Sequence, residues 1–296
     1  MTKFAFYPGC VARGGAPELY TSTIAVANKL GLELEEIVGA ACTGAGVLQE
    51  KGLKLGDTLN ARTFAMAEQM GLSTILTICS TCQGTMAQAN KRLLDSPEYL
   101  AEINKELRPE GLEYSGKILI KHLVWVLVEE IGLDKVKSLV SNPMPDLKVA
   151  PFYGCYILRP SDALGLDENP GREFYLERII EALGSEPVNF PGRTKCCGFP
   201  ILLINEKNST AMVGQHTHDA KHEGADAMVT PCPLCHLNLD GYQPKASIQR
   251  NEKIDLPILH LPQMLGLAFG FTPKELGLGK HIVSTKSIIE KASIRA

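Results

Sequence analysis

Five cysteines in the second half of the chain have the spacing of metal ligands. They are Cys155, the adjacent pair Cys196 and Cys197, and the CxxC pair Cys232 and Cys235, together called the second site. Neighbouring side chains of a strand point to opposite faces, so the adjacent pair can face one centre only from a turn, which Gly198 permits. Structural zinc takes four ligands, whereas an iron–sulfur cluster with several irons has room for a fifth thiolate. Inert buried cysteines are the weaker alternative, and a cluster is predicted.

The first half carries a similar set with one member fewer. Cys10, Cys42, Cys79 and Cys82 are called the first site, and Ala41 stands where the second half has Cys196. With four ligands, a 2Fe-2S cluster, a cubane 4Fe-4S cluster and zinc all remain open. The two sites are therefore not expected to do the same job.

Four histidines near the second CxxC pair are candidates for secondary roles. His216, His218 and His222 lie on the predicted helix that precedes the pair. Only the last two have the i, i+4 spacing of one helix face, and a solvated polar face is favoured over metal binding for all three. His236 directly follows Cys235 and is placed to tune a cluster through a hydrogen bond behind the ligands.

Other candidates recur in the two halves or flank the cysteines. His122 and His260 occupy corresponding positions, and each is predicted to cap or brace the helix that follows it. Trp125 is predicted to belong to an apolar core. Arg193 and Lys195 flank the adjacent cysteines, where they are either solvated or bind an anionic substrate.

Composition limits the classes of function. The 296 residues suit two domains of about 150 residues, and a net charge of −3 without a basic run gives no reason to expect nucleic acid as a partner. No signal peptide is visible, so a cytoplasmic location is predicted and the nine cysteines are interpreted as ligands rather than disulfides. The stretch from Ile118 to Leu127 contains Lys121 and is shorter than a span of about 20 residues. It is predicted to be a buried helix, and no membrane span is expected.

The elements that must position the cysteines occur twice in the same order. Each half has a strand ending in Gly-Cys, a helix, a short strand, a long helix, and a strand ending at CxxC. The predicted strands are 4–7, 34–38, 74–78, 149–153, 187–190 and 227–230. The predicted helices are 16–30, 55–70, 172–183 and 209–222. Ile120–Leu123 and Ile258–Leu261 are each predicted to open an apolar helix.

This repeat predicts a duplicated domain. The CxxC pairs lie 153 residues apart, far beyond the period of about 20–50 residues found in solenoids. A proline-rich break near 141–145 divides the chain into domains 1–145 and 146–296. Alternating strands and helices predict an α/β fold, with a small, mostly parallel sheet flanked by helices in each half and a pseudo-twofold relation between the halves. Sites in such sheets gather at the carboxyl ends of strands, where these cysteines lie.

The tandem CCG pattern, in which each half opens with Gly-Cys and closes with CxxC, resembles the B-type subunits of heterodisulfide reductase over nearly the whole chain. The resemblance implies a non-cubane 4Fe-4S cluster, at which sulfur substrate reacts, held by Cys155, Cys196, Cys197, Cys232 and Cys235. The first half matches the family at Cys10, Cys42, Cys79 and Cys82 and departs from it at Ala41. That departure favours the relatives in the sulfur-oxidation complexes over the methanogenic enzyme that reduces the coenzyme M–coenzyme B heterodisulfide.

The resemblance also implies an activity and partners. It implies that the chain is an oxidoreductase component and performs thiol/disulfide or protein-bound sulfur chemistry at the second site. The implied partners are a flavin-containing A-type subunit and a ferredoxin-like C-type subunit, with which it exchanges single electrons. The substrate is expected to be a small thiol or disulfide, or lipoate-bound sulfur. The sequence has no GxGxxG motif that follows a strand and opens a helix, so no flavin or nicotinamide cofactor is predicted for this chain. The alternatives are an electron-relay subunit of a succinate dehydrogenase-type or glycolate oxidase-type complex, and a zinc-stabilised scaffold.

Overall fold

A computed structural model of the chain describes residues 2–293. Its two sheets are parallel and have four strands each, in the orders β2-β1-β3-β4 and β6-β5-β7-β8. The strands are β1 Thr2–Tyr7, β2 Leu32–Glu36, β3 Thr74–Thr77, β4 Leu119–His122, β5 Lys148–Pro151, β6 Glu186–Pro187, β7 Ala227–Thr230 and β8 Ile258–His260. The predicted α/β fold with two duplicated parallel sheets is confirmed.

Helices cover both sheets and connect their strands. In the first half they are α1 Cys10–Gly14, α2 Pro17–Leu30, α3 Val47–Lys51, α4 Leu53–Gln69, α5 Ser80–Asp95, α6 Pro97–Leu107, α7 Leu123–Trp125 and α8 Leu133–Ser138. In the second half they are α9 Tyr175–Ala182, α10 Glu206–His222, α11 Pro233–Gly241, α12 Gln243–Arg250, α13 Leu261–Ala268 and α14 Lys286–Ser293. No helix among residues 2–293 combines the length and apolarity needed to cross a bilayer.

Two predicted helix starts are wrong. Leu119–His122 and Ile258–His260 are the fourth strands of the two sheets, and helix begins only at Leu123 and Leu261. The predicted helix over Ile118–Leu127 is therefore a strand, one helical turn and the start of a π-helical segment, 126–131. Short apolar runs have no diagnostic period, so the sequence does not separate a buried strand from a buried helix there.

Some element bounds also differ. The predicted strand 187–190 is replaced by a two-residue strand, Glu186–Pro187, that shares only Pro187 with the prediction. The predicted helix 172–183 begins at Tyr175 after a 3-10 turn, 170–174. The remaining predicted elements are present, with ends that shift by up to three residues.

The two halves share two apolar clusters. One contains Phe4 and Leu76 from the first sheet and Val149 and Leu259 from the second, and the other includes the buried cysteines of both halves. Helix α2 packs on α13, and the corresponding helix α9 packs on α7, so each half contributes the same two faces, as a pseudo-twofold relation requires. Ile288 of α14 is buried in the first of these clusters, so this last helix packs on its own chain. Residues 294–296, which follow α14, lie outside the described residues, and the domain boundary at 145/146 stays a prediction.

Candidate metal centres

The first cysteine of each site follows the central strand through a glycine. Gly9 and Gly154 have φ of +81° and +71°, in the region that favours glycine. A Cβ on Gly9 would lie 3.2 Å from the Sγ of Cys82, and one on Gly154 would lie 2.8 Å from the Sγ of Cys235. Each glycine thus lets the backbone before Cys10 or Cys155 lie directly against the last cysteine of its site.

Each CxxC pair lies where a strand ends and a helix begins, as predicted. Cys79 and Cys232 are the N-cap residues of α5 and α11, and Sγ of Cys79 accepts a hydrogen bond of 3.4 Å from the N–H of Cys82. Thr77 and Thr230 repeat a further contact, since each Oγ1 accepts from the N–H of the N-cap cysteine, at 3.4 and 3.3 Å. Helix N-termini favour anionic groups, so both pairs lie where thiolates are stabilised.

The adjacent cysteines lie in the turn that the sequence predicts. Gly198 has φ of +92°. Its N–H donates to the Sγ of Cys196 at 3.4 Å, and the N–H of Phe199 donates to the Sγ of Cys197 at 3.5 Å. The carbonyl of Cys197 accepts a 2.7 Å bond from buried Asn238. The turn therefore offers two sulfurs that already accept backbone hydrogen bonds.

The sulfurs of the second site are packed tightly enough to control one another's protonation. The pKa of Cys196 is lowered by hydrogen bonds from Cys155 and then Cys197, and that of Cys232 is lowered by Cys235 and then by Cys79 of the first site. The pKa of Cys155 is raised by Cys196 and by burial, and the pKa values of Cys197 and Cys235 are also raised, first by Cys196 and by Cys197 respectively. Each cysteine with a lowered pKa thus lies beside cysteines with raised pKa values, because like charges this close cannot all ionise without a cation between them.

The first site is more open at one end. Sγ of Cys10 lies 3.8 Å from that of Cys42, and both residues are exposed. Burial, followed by the charge of Cys42, raises the pKa of Cys10 to about 11. Cys79 and Cys82 are buried, and the pKa of Cys79 is raised by contact first with Cys232, then with Cys82, and by burial.

The two sites meet at the junction of the halves. Cys79 of the first site neighbours Cys232 of the second, and Oγ1 of Thr81 lies 3.3 Å from the Sγ of Cys232. About one helical turn along α5 from Thr81, a Cβ on Gly84 would overlap the carbonyl oxygen of Tyr156, the residue after Cys155. All nine cysteines therefore line one region between the two sheets.

His216 contradicts the prediction of a solvated face. It is buried, and its Nε2 lies 2.9 Å from the carbonyl oxygen of Cys196, so it holds the turn from behind. His218 and His222 do lie on the polar face of α10, with stacked rings 6.0 Å apart. The helical spacing of these three histidines does not show that His216 points into the core while His218 and His222 lie on the polar face.

The contacts of His236 are with other residues of the second half, and its role in tuning a cluster stays a prediction. Its Nε2 lies 3.1 Å from the carbonyl of Ile258 and 3.1 Å from Nδ1 of His281, and its ring stacks on that of His260 at 3.7 Å. Its Nδ1 has no hydrogen-bond partner within the described residues. These histidines brace α11 against β8 and the segment before α14.

His122 caps α7 as predicted, since its Nδ1 accepts a hydrogen bond from the N–H of Val124.

The flanking cations and the tryptophan have local roles. Arg193 is bound to the carboxylate of Glu177 at 3.0 Å and to the carbonyl of Glu173 at 2.8 Å, which leaves it committed to the fold rather than to an anionic substrate. Lys195 is exposed. Trp125 is a core residue as predicted, with the guanidinium of Arg172 4.0 Å above its ring.

Three residues near the sulfurs are not among the candidates that the sequence identifies. The hydroxyl of buried Tyr7 donates to the carbonyl of Ala41 at 2.7 Å, that of Tyr156 donates to Oε1 of Gln49 at 3.1 Å, and Thr81 contacts the other half. Their signals in the sequence are adjacency only: Thr81 lies inside a CxxC and Tyr156 follows a cysteine.

The donor sets fit metal centres. Sulfur-only sets of this kind suit zinc or iron–sulfur clusters, and a positive centre would offset the repulsion between neighbouring thiolates. Four sulfurs in the first site fit either kind of centre. Five sulfurs in the second, two of them on adjacent residues, exceed what one tetrahedral zinc ion accepts.

Comparisons with known proteins agree with this arrangement. A sequence profile described as a cysteine-rich domain, CCG, matches residues 4–87 and 149–240, which include all nine cysteines. The 8-methylmenaquinol:fumarate reductase membrane anchor subunit of Wolinella succinogenes is 38% identical, over 97% of this chain and 99% of that protein. The B-type subunit of a ferredoxin/F420H2-dependent CoB-CoM heterodisulfide reductase from Methanosarcina acetivorans is 32% identical, over 98% and 97%.

A solved structure shares the fold. The crystal structure of a hypothetical protein from Helicobacter pylori superposes with a TM-score of 0.77 at 18% identity. The match covers 96% of this chain and 52% of that one, so the present chain spans about half of that protein.

Proposed function

The chain belongs to the family of tandem cysteine-rich CCG proteins that includes the B-type subunits of heterodisulfide reductase, and from that membership we propose that it is an iron–sulfur subunit of a reductase complex that performs redox chemistry on sulfur. The observation that carries the proposal is the convergence of nine cysteines on one region between two parallel sheets, with Cys79 beside Cys232.

The second site is the proposed reaction centre, with a non-cubane 4Fe-4S cluster held by its five cysteines. When bound, such a cluster supplies electrons one at a time and soft iron for which sulfur has affinity. The overall reaction takes a disulfide, two electrons and two protons to two thiols, or runs in reverse. The electrons come from or go to partner subunits.

The protein's own residues orient the thiolates and set the direction of access. The backbone N–H groups of Gly198 and Phe199 and the imidazole of His216 fix the turn of the adjacent cysteines. Cys197, Cys232 and Cys235 are buried, whereas Cys155 and Cys196 are partly exposed. A sulfur substrate therefore approaches the second site on the side of Cys155 and Cys196.

The proposed partners are a flavin-containing A-type and a ferredoxin-like C-type subunit, and the proposed substrate is a small thiol or disulfide or lipoate-bound sulfur. The similarity to a named heterodisulfide reductase component over almost the full chain supports them. Assignment to the sulfur-oxidation branch stays a prediction and rests on Ala41. The first site would hold a second iron–sulfur cluster or zinc.

An electron-relay subunit is the second candidate. The 38% identical relative is named as a membrane anchor subunit of a fumarate reductase, and the first site lacks a fifth cysteine. In this role the chain would pass electrons between partners and bind no sulfur substrate.

The test uses paired variants of the anaerobically purified chain. Cys197→Ala is expected to lose the iron, sulfide and electron paramagnetic resonance signal of the second site, and Cys42→Ala, its matched control, those of the first site only. A signal change when a small disulfide is added to wild type supports sulfur chemistry, and an unchanged signal supports the relay. Wild-type protein with zinc but neither iron nor acid-labile sulfide contradicts both.

A further inference from the structure

Tyr7 and Phe152 occupy the same place in the two sites. Each lies three residues before the first cysteine of its site. Cε1 of Tyr7 lies 3.9 Å from a Cβ built on Gly9, and Cε1 of Phe152 lies 3.9 Å from one built on Gly154. The rings therefore have the same relation to the glycine, and the phenol oxygen is the chemical difference between them.

That oxygen is committed to the residue at the fifth-ligand position. The Tyr7 side chain is only 3% exposed, and its hydroxyl donates to the carbonyl of Ala41 at 2.7 Å. Burial raises the pKa of this phenol, and the charges of all four cysteines of the first site raise it further. The hydroxyl thus lies at the edge of the first site, bound to the residue that stands where the second site has Cys196.

In the second site the corresponding carbonyl is held from outside. The carbonyl of Cys196 is bound by Nε2 of His216 at 2.9 Å, and the ring of His216 packs against Phe152 with centroids 5.3 Å apart. By its distance before the CxxC pair, His216 corresponds to Thr63 in the first half, whose hydroxyl bonds within its own helix to Leu59. The ring of Phe152 carries no hydroxyl, and the sulfur of Cys196 contacts the sulfurs of Cys155 and Cys197.

We propose that the hydroxyl of Tyr7 is the determinant that keeps the first site a four-thiolate centre, by binding residue 41 from inside the site. The loss of a cysteine at position 41 is then only half of the change. Both carbonyls are bound, so the difference between the sites is the phenol oxygen: the sulfur of a cysteine restored at position 41 would compete with that oxygen for one volume, whereas Cys196 faces a phenylalanine ring without a hydroxyl. Tyr7 is a positioning residue in this role, and the inference rests on the proposed metal centres.

The test starts from a variant that lacks the paramagnetic signal of the second site and measures which further substitutions restore that signal. In a Cys197→Ala background, adding Ala41→Cys alone is expected to give no five-thiolate signal, defined as the paramagnetic signal that Cys197→Ala removes. Adding Ala41→Cys together with Tyr7→Phe is expected to restore that signal and to raise iron and sulfide per chain. In the background that keeps Cys197, the same pair of substitutions should double the signal, which provides a second measurement if the triple variant folds poorly.

The matched control is Tyr114→Phe combined with Ala41→Cys. Tyr114 is also a buried tyrosine, but its hydroxyl donates to Asn90, away from the cysteines. This control should leave the signal absent. The proposal is overturned if Ala41→Cys alone restores the signal, or if the pair with Tyr7→Phe does not in either background. Wild-type chain without iron or sulfide would instead refute the proposed function, so the two failures are distinct.

Discussion

Replacing Gly154 by alanine measures how closely the second site is packed. The φ of +71° costs an alanine roughly 1–2 kcal/mol. The new Cβ would also lie 2.8 Å from the Sγ of Cys235, whereas non-bonded atoms prefer about 3.5–4 Å. The sulfur must therefore move by roughly 0.7 Å or more, although metal–ligand distances tolerate only about 0.2 Å. Gly154→Ala is expected to lose most of the iron and sulfide of the second site.

The control separates backbone strain from the steric effect. Gly71 has the same φ of +71°, but its added Cβ would meet nothing within 4 Å. Gly71→Ala should lower the free energy of unfolding by a similar 1–2 kcal/mol, roughly, and leave iron and sulfide unchanged. Gly9→Ala, with a Cβ 3.2 Å from Cys82, should affect the first site less severely. Urea unfolding and metal analysis are the assays, and a Gly154→Ala protein with wild-type iron content would refute the reasoning.

Two further predictions concern the junction of the halves. Gly84→Ala should destabilise by about 1–3 kcal/mol in thermal unfolding, because its Cβ overlaps the carbonyl of Tyr156. The opposite result, a gain of about 1 kcal/mol from helix propensity, would show that the halves do not approach there. His122 is buried beside Pro231, and burial lowers its pKa from 6.5 to about 4. Only the unfolded chain binds its proton between these values, so its contribution to the unfolding free energy is complete above pH 6.5 and falls as pH drops toward 4. His122→Gln should flatten that fall in urea titrations at several pH values, and an unchanged slope would contradict the assignment.

The sequence predicts much of this fold because the repeat applies the same pattern twice. Strand ends, helices and cysteines at corresponding positions support each other, and the order of elements follows without tertiary information. The two final strands, β4 and β8, are mistaken for helix because strands of three or four residues that run directly into a helix carry no period of their own. These segments are strands because they pair with β3 and β7. That pairing belongs to the tertiary structure and is not visible in the local sequence.

The residues around the sulfurs show a similar division. The turn at Gly198 follows from two adjacent cysteines and a glycine, so it is predictable. The inward direction of His216 and the bond from Tyr7 to Ala41 depend on which side of an element faces the site. Propensity and spacing leave that side open when polar residues line both faces of a helix, as they do along α10.

The exchange of helices between the halves, α2 on α13 and α9 on α7, is the geometry of an isologous homodimer whose protomers have been fused into one polypeptide. In a homodimer any substitution appears in both sites at once. A single chain has no such restriction, so Ala41 can stand in one half while the corresponding position of the other half is Cys196. One polypeptide can therefore carry two unequal sets of cysteines on one scaffold, which two identical protomers cannot.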